Sequence, residues 1–169
     1  AAPDPDTLKS EQDWGKLIAD KVPEKMRDML TRDRPIEIRP VDPMNPFKPE
    51  KRPPHRQNWF RALGPLPDDP VLHRCLLTYA SDFSFLGTSL TPHGRTFMSK
   101  NMQVASLDHA IWFHRAGRSD DWSLHDFRGM GVANARGLAV GQIFDREGIH
   151  LATVAQEILM RKRTAGFKR

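Results

Sequence analysis

Residues 67–87 read PDDPVLHRCLLTYASDFSFLG, and this stretch decides the fold. Asp69 can cap the first amide groups of a helix, and Pro70 suits the first helical position, where no N–H is needed. Gly87 supplies a flexible stop. An apolar stripe at helical spacing consists of Leu72, Cys75, Leu76, Tyr79, Phe83 and Leu86. The pattern predicts one central helix, with Cys75 as a small core residue.

Strand patterns lie on both sides of this helix. Upstream, apolar and charged residues alternate over residues 36–41, and residues 57–63 (QNWFRAL) suit a second strand. Downstream, four stretches have a period of two, at residues 103–114, 122–128, 137–145 and 150–159. Short turn-forming segments separate them, including Gly129-Met130-Gly131. Four consecutive strands with short connections predict an antiparallel meander.

The predicted architecture is α+β, with an antiparallel sheet wrapped around one central helix, which is the hotdog arrangement. Such a sheet covers its helix but leaves an open edge, and open edges pair with other strands. We therefore expect a second hotdog unit beside this one, from a second chain or from one longer chain.

Composition excludes several classes of protein. The 169 residues include a single cysteine, which excludes an internal disulfide, and no apolar run is long enough to span a bilayer. The net charge of +5 favours an anionic partner, but no nucleic-acid-binding motif accompanies it, so we expect no nucleic acid. The seven histidines lack zinc-ligand spacing, and no phosphate loop or G-x-S-x-G elbow occurs, so we expect no metal and no cofactor.

Three polar residues occupy positions where a core would prefer apolar ones: Asp82, Ser106 and Gln156. Each has a structural alternative: an Asp paired with an Arg, a Ser bonded to backbone, a Gln facing solvent. Together, a carboxylate can take a proton from water, while a hydroxyl and an amide can position that water and stabilise an oxyanion. His109 is predicted to face away from Ser106, three residues along one strand, which favours direct attack by water over an acyl-serine route.

Four motifs carry a family resemblance: LLTYASDFSFLG (76–87), VASLDHAIWFHR (104–115), ANARGLAVGQIFDREG (133–148) and VAQEILMR (154–161). They resemble the type II acyl-CoA thioesterases, the TesB-like double-hotdog enzymes, in their C-terminal hotdog unit only. The resemblance implies hydrolysis of fatty acyl-CoA to free fatty acid and coenzyme A, in fatty acid metabolism. It also implies that Asp82, Ser106 and Gln156 jointly orient the attacking water, without a covalent intermediate or a metal.

The resemblance also implies how the chain is organised. We expect a linker or leader with short helices at residues 1–34, a hotdog thioesterase domain at residues 35–163 and a basic tail at residues 164–169. The predicted partners are fatty acyl-CoA and a second hotdog unit, either a missing N-terminal half or another copy of the chain.

Three points remain open at the level of sequence. Arg115, Arg118 and Arg136 are candidates for the coenzyme A phosphates, although a solvated surface role suits each equally. Two alternative functions are a non-catalytic acyl-CoA-binding or assembly module and a hotdog enoyl-CoA hydratase. For the hydratase, Asp108-His109 is a poor acid–base pair because adjacent strand residues face opposite ways. The expected compartment is the cytoplasm, with peroxisome and mitochondrion left open.

Overall fold

A computed structural model of the chain describes residues 2–22 and 24–162. The helices are α1 (Glu11–Ile18), α2 (Glu24–Thr31), α3 (Pro70–Ser81) and α4 (Phe85–Leu90), with 3₁₀ turns at Pro5–Thr7, Ala19–Lys21 and Thr91–His93. The strands are β1 (Ile36–Pro40), β2 (His55–Ala62), β3 (Met102–Ser106), β4 (Ala110–Phe113), β5 (Ser123–Ala133), β6 (Arg136–Asp145) and β7 (His150–Lys162).

The described strands form one antiparallel sheet in the order β1-β2-β5-β6-β7-β3, with β4 also paired to β7. The meander expected over the last four strands is correct for β5, β6 and β7. It is wrong for residues 103–114, which form two strands rather than one and cross over to pair with β7. This crossover brings Ser106 beside the inner row of β7, with Ser106 paired to Ile158.

The turn expected at Gly129-Met130-Gly131 lies elsewhere. These residues belong to β5, where the register shifts between Gly129 and Gly131, as in a β-bulge. The hairpin turns instead at Asn134 and Ala135, whose φ angles of 50° and 63° are left-handed. A two-residue hairpin loop of this type requires positive φ angles at both loop residues. The sequence pattern alone places this turn at the nearby glycines.

The central helix differs from its prediction in length. Asp69 accepts from Val71 N and Leu72 N, so the predicted start is confirmed, but the helix ends at Ser81 and Gly87 lies inside α4. The break falls at Ser84, whose φ is 74° and whose Oγ accepts from Asn58 Nδ2 at 2.8 Å. A strand side chain thus holds the chain in a conformation that the helix pattern does not reveal.

The short helix α4 is the element around which the sheet curls, and it lies against β3, β5, β6 and β7. Phe85 and Leu90 are fully buried in the core with the inner face of the sheet. Gly137 permits this close approach, because a Cβ there would lie 2.8 Å from Met160 Sδ and 3.1 Å from Ser89 Cβ. The antiparallel sheet wrapped around a helix is the architecture predicted from the sequence.

The buried face of α3 is not the predicted stripe. It consists of His73, Leu77, Ala80 and Ser81. Cys75 is exposed and Tyr79 is 53% exposed, so the interpretation of Cys75 as a core residue is wrong. The predicted stripe is divided: Leu76, Phe83 and Leu86 pack partly buried against the core, whereas Cys75 and Tyr79 lie on the exposed side of α3.

The first 34 residues contain α1 and α2, and the opening residues contact the sheet. Trp59 Nε1 donates to the Pro3 carbonyl at 2.9 Å, and Arg39 Nη1 donates to the Pro5 carbonyl at 2.8 Å. The proposed domain bounds remain predictions, and the basic tail expected at residues 164–169 lies outside the described residues. Over residues 2–22 and 24–162 no helix is long and apolar enough to cross a membrane, and the compartment remains a prediction.

Candidate active site

Gln156 lies at the centre of the cluster that the sequence singled out. It belongs to the inward-facing row of β7, between Val154 and Ile158, and is 1% exposed. Its Nε2 donates to Asp82 Oδ1 at 2.9 Å and to Ser106 Oγ. Both amide hydrogens are used in these two bonds, so one buried amide joins the three predicted residues.

Asp82 and Ser106 lie at the solvent end of this cluster. Asp82 directly follows α3 and its side chain is 56% exposed, while Ser106 ends β3 and is exposed. Among the described residues, neither Asp82 Oδ2 nor the Ser106 hydroxyl hydrogen has a hydrogen-bond partner. Both are therefore available to a water molecule or a substrate carbonyl at the surface.

His109 belongs to the cluster, and its predicted orientation is wrong. The expectation assumed one continuous strand, but β3 ends at Ser106, and residues 107–109 are irregular. The imidazole lies with Nδ1 3.4 Å from Gln156 Oε1 and 3.9 Å from Asp82 Oδ1. Its Nε2 lies 2.8 Å from the Oγ of Ser81, which is fully buried. The strand break is what brings His109 to Gln156.

The hydrogen bonds fix the orientation of the Gln156 amide. Asp82 accepts hydrogen bonds, so the Nε2 group of Gln156 must face Asp82 and its Oε1 must face His109. With a proton on His109 Nδ1, Nε2 of the neutral ring accepts from the Ser81 hydroxyl, whose single hydrogen then bonds to the imidazole rather than to the Thr78 carbonyl, which also lies 2.8 Å away. Asp108 is not part of this group, because its Oδ1 accepts from Glu157 N at 2.7 Å.

A second histidine lies beneath the cluster in the apolar core. His125 is 2% exposed, and its ring centroid lies 4.6 Å from that of Phe127 and 5.1 Å from that of Phe85. Burial lowers the pKa of His125 to about 3, and the nearby charge of a protonated His109 adds to the effect. His125 was not predicted from the sequence. The only indication there is that a histidine occupies a position in the inward-facing row of a strand.

The three arginines considered for phosphate binding have partners on the protein. Arg118 pairs with Asp120 and Asp68, at 2.9 and 3.2 Å. Arg136 pairs with Glu157 at 3.1 Å. Arg115 Nη1 donates to the His150 carbonyl at 3.2 Å. Within residues 2–22 and 24–162, no group of three His, Cys, Asp or Glu side chains is placed to hold a metal ion.

Comparison with known proteins gives the family. The family model described as acyl-CoA thioesterase matches residues 25–159. Acyl-CoA thioesterase 2 of Haemophilus influenzae is 38% identical over 157 residues, which are 93% of this chain and 55% of that protein. Acyl-coenzyme A thioesterase 8 of Homo sapiens is 34% identical over 83% of this chain and 44% of that protein. The chain belongs to the acyl-CoA thioesterase family and spans about half the length of these relatives.

Solved structures agree with this placement. The acyl-CoA thioesterase II TesB2 of Mycobacterium marinum matches with a TM-score of 0.70 and 35% identity, over 99% of this chain and 56% of that one. A hot dog fold protein of Alicyclobacillus acidocaldarius matches with a TM-score of 0.65 and 16% identity, over 97% of this chain and 55% of that one. The hotdog fold and the family resemblance predicted from the sequence are confirmed.

Proposed function

We propose that this chain is an acyl-CoA thioesterase unit that hydrolyses fatty acyl-CoA to free fatty acid and coenzyme A. The observation that carries the proposal is the buried Gln156 amide, which holds Asp82 and Ser106 together at the surface. Family membership supports the substrate class, because the matched relatives are named acyl-CoA thioesterases.

The reaction follows from the free atoms of the site. Asp82 Oδ2 accepts a proton from a water molecule as the water oxygen bonds to the thioester carbonyl carbon. The Ser106 hydroxyl donates to the carbonyl oxygen, where negative charge develops. The carbon–sulfur bond then breaks, and the coenzyme A thiolate takes up the proton held by Asp82. Gln156 uses both of its hydrogens to hold the other two groups, so its role is to position them.

Direct attack by water is preferred over an acyl-serine intermediate, because Ser106 has no base beside it among the described residues. A nucleophilic serine needs a base within hydrogen-bond reach. His109 does lie in the site, but its ring nitrogens lie 3.4 Å from Gln156 Oε1 and 2.8 Å from Ser81 Oγ. Among the described residues, Ser106 Oγ contacts the Gln156 amide and has no base.

We further propose that a second hotdog unit covers the open side of this site. Large apolar side chains are exposed on β4 and α3, including Phe113 at 39% and Tyr79 at 53%. The two elements are adjacent, since the Arg74 guanidinium lies 6.0 Å from the ring of Phe113. An exposed apolar surface next to a reactive cluster is typical of an interface that excludes water from the reaction.

The test is release of free thiol from palmitoyl-CoA by the chain, with its oligomeric state measured in the same sample. We expect Asp82→Asn to lower the rate at least about a hundredfold, because the water loses its proton acceptor. Asp121→Asn is the matched control, since Asp121 is an exposed carboxylate outside the cluster, and it should retain the full rate. A rate that Asp82→Asn leaves within about twofold contradicts the mechanism and favours a non-catalytic acyl-CoA-binding or assembly module.

One distance favours a second candidate, an enoyl-CoA hydratase. Such an enzyme needs an acid–base pair in its site, and His109 Nδ1 lies 3.9 Å from Asp82 Oδ1. The pair is therefore Asp82 and His109 rather than Asp108 and His109. Incubation with crotonyl-CoA separates the two reactions: hydroxybutyryl-CoA forms if water adds to the double bond, and free thiol forms if the thioester is cleaved.

A further inference from the structure

A basic cavity of about 250 Å³ lies at the end of the sheet near α4. We name it from its basic side chains, which are His93, Arg95, Lys100 and Lys162. Its apolar floor includes Leu90, Met102 and Met160. Asn101, with a φ of 62°, turns the chain sharply between Lys100 and Met102, and both of these residues line the cavity.

The charge of this cavity is unbalanced. None of its described lining residues is acidic, and within residues 2–22 and 24–162 Arg95, Lys100 and Lys162 have no carboxylate within 4 Å. Three permanent positive charges around one concave surface repel one another unless an anion lies between them.

A second cavity on the molecule provides a contrast. It also has arginines in its lining, but it includes carboxylates such as Asp120, which lies 2.9 Å from Arg118, and Asp6, which lies 2.9 Å from Arg146. Its positive charges are thus neutralised by the protein itself. Of these two cavities, the basic cavity is the one suited to an anionic ligand.

The basic cavity is connected to the candidate active site by two paired strands. Ser106 pairs with Ile158 at one end of the β3–β7 pair, two positions along β7 from Gln156, and Met102 pairs with Lys162 at the other end. Ser106 is the fourth residue after Met102, which is a distance of about 13 Å along a strand. Val104 lies between them on the same face of β3 and packs partly buried against the core.

We propose that the basic cavity binds the phosphate groups of coenzyme A, with the pantetheine arm lying along β3 towards Ser106. The inference rests on the proposed function. The extended arm is longer than the separation, and it is less polar than the phosphates at its end. Phosphates match the cavity because several negative charges lie close together on them, as the positive charges do around the cavity. The site therefore differs from the three arginines favoured by sequence position.

Equilibrium binding tests the inference without turnover. The chain is titrated calorimetrically with coenzyme A, with dephospho-coenzyme A and with pantetheine, which has no phosphate. We expect Lys100→Ala combined with Lys162→Ala to weaken coenzyme A binding at least about tenfold, since each change removes a charge-assisted contact. Binding of pantetheine should stay within twofold. The matched control removes two exposed positive charges elsewhere, in Lys16→Ala combined with Arg128→Ala, and should bind coenzyme A as the parent chain does.

The outcomes separate this inference from the proposed function. Equal affinity for coenzyme A in the cavity variant and the parent chain overturns the inference, as does an equal loss in the control or the absence of coenzyme A binding. Thiol release that depends on Asp82, together with such a result, leaves the hydrolase and removes the phosphate site. Coenzyme A binding that depends on Lys100 and Lys162, without thiol release, supports the phosphate site and removes the hydrolase.

Discussion

His109 is a residue of this site that the sequence pattern did not predict. It contacts Gln156 Oε1, whereas Asp82 and Ser106 contact Gln156 Nε2, so the amide is held from both ends. An amide without a partner on its oxygen could turn over and present that oxygen to the Asp82 carboxylate, which is repulsive. We infer that His109 is a positioning residue that acts through Gln156.

A pair of substitutions tests this positioning role. His109→Leu should lower kcat about tenfold with KM within twofold, because one hydrogen bond that orders the site is lost. His109→Asn should recover most of kcat, since the Asn amide can donate to Gln156 Oε1 as the imidazole does. The measurement is steady-state thiol release, with thermal unfolding recorded for both variants. Equal kcat in the Leu and Asn variants contradicts the role.

His125 gives the protein a pH-dependent stability. Its folded pKa is about 3, whereas an unfolded histidine has a pKa of about 6.5. Between these values the unfolded chain binds more protons than the folded one, so the free energy of unfolding falls as the pH is lowered. Above pH 6.5 the residue has no such effect, and below pH 3 the loss is complete.

We therefore expect His125 to contribute a slope of up to about 1.4 kcal/mol per pH unit between pH 6 and pH 4. Urea unfolding of the parent chain and of His125→Leu, measured at several pH values, isolates this contribution because the leucine does not titrate. The stability of the parent chain should fall relative to that of His125→Leu as the pH is lowered, and parallel curves over that range contradict the assignment.

The breaks between elements decide where the site residues lie. The interruption between α3 and α4 places Asp82 at the end of a helix, and the gap between β3 and β4 releases His109 from the strand pattern. Each break contains an aspartate, Asp82 or Asp108, which disfavours the interior of a helix or strand, but neither contains a glycine or a proline. They are maintained by tertiary contacts, such as the hydrogen bond from Asn58 to Ser84.

The hairpin between β5 and β6 offers a test of backbone strain. Ala135 has a φ of 63°, which costs an L-residue with a Cβ about 1 kcal/mol relative to glycine. Ala135→Gly should therefore raise the free energy of unfolding by about 1 kcal/mol. The same change in the exposed part of β3, Ala105→Gly, should lower it, because glycine weakens a strand. Urea denaturation measures both, and equal effects contradict the strain argument.

At the scale of the whole molecule, α3 and β4 together form an exposed apolar face. Phe113 and Tyr79 are 39% and 53% exposed there, and β4 is paired to β7 on one side only among the described strands. An unpaired strand with large apolar side chains is a docking edge for another strand. We infer that the proposed second hotdog unit lies on this face.

Association should depend on this face and on no other exposed apolar residue. Tyr79→Asp should weaken self-association or association with another hotdog unit at least about tenfold, because it places a charge in the buried interface. Met130→Asp is the control, since Met130 is 63% exposed on β5, away from β4. Light scattering over a concentration series gives the masses, and equal masses for the two variants contradict the assignment.

The sequence by itself determined much of this protein. Much of it lies in the cap of α3, the strand periodicity and the positions of Asp82, Ser106 and Gln156 within their elements. These are local patterns, which can be recognised from neighbouring residues in the chain without knowing the tertiary contacts. They were sufficient for the α+β class, for the hotdog fold and for the three residues that the Gln156 amide joins.

Tertiary structure alone decided the rest. The end of α3, the break after Ser106 and the position of β3 beside β7 depend on contacts between residues far apart in sequence. His109 and the basic cavity follow from those contacts, because Lys100 and Lys162 meet only when two strands that are distant in the chain pair. The physical reason is that a break in a helix or strand is stabilised by residues that are close in space but distant in the chain. The periodicity of the sequence contains no information about those contacts.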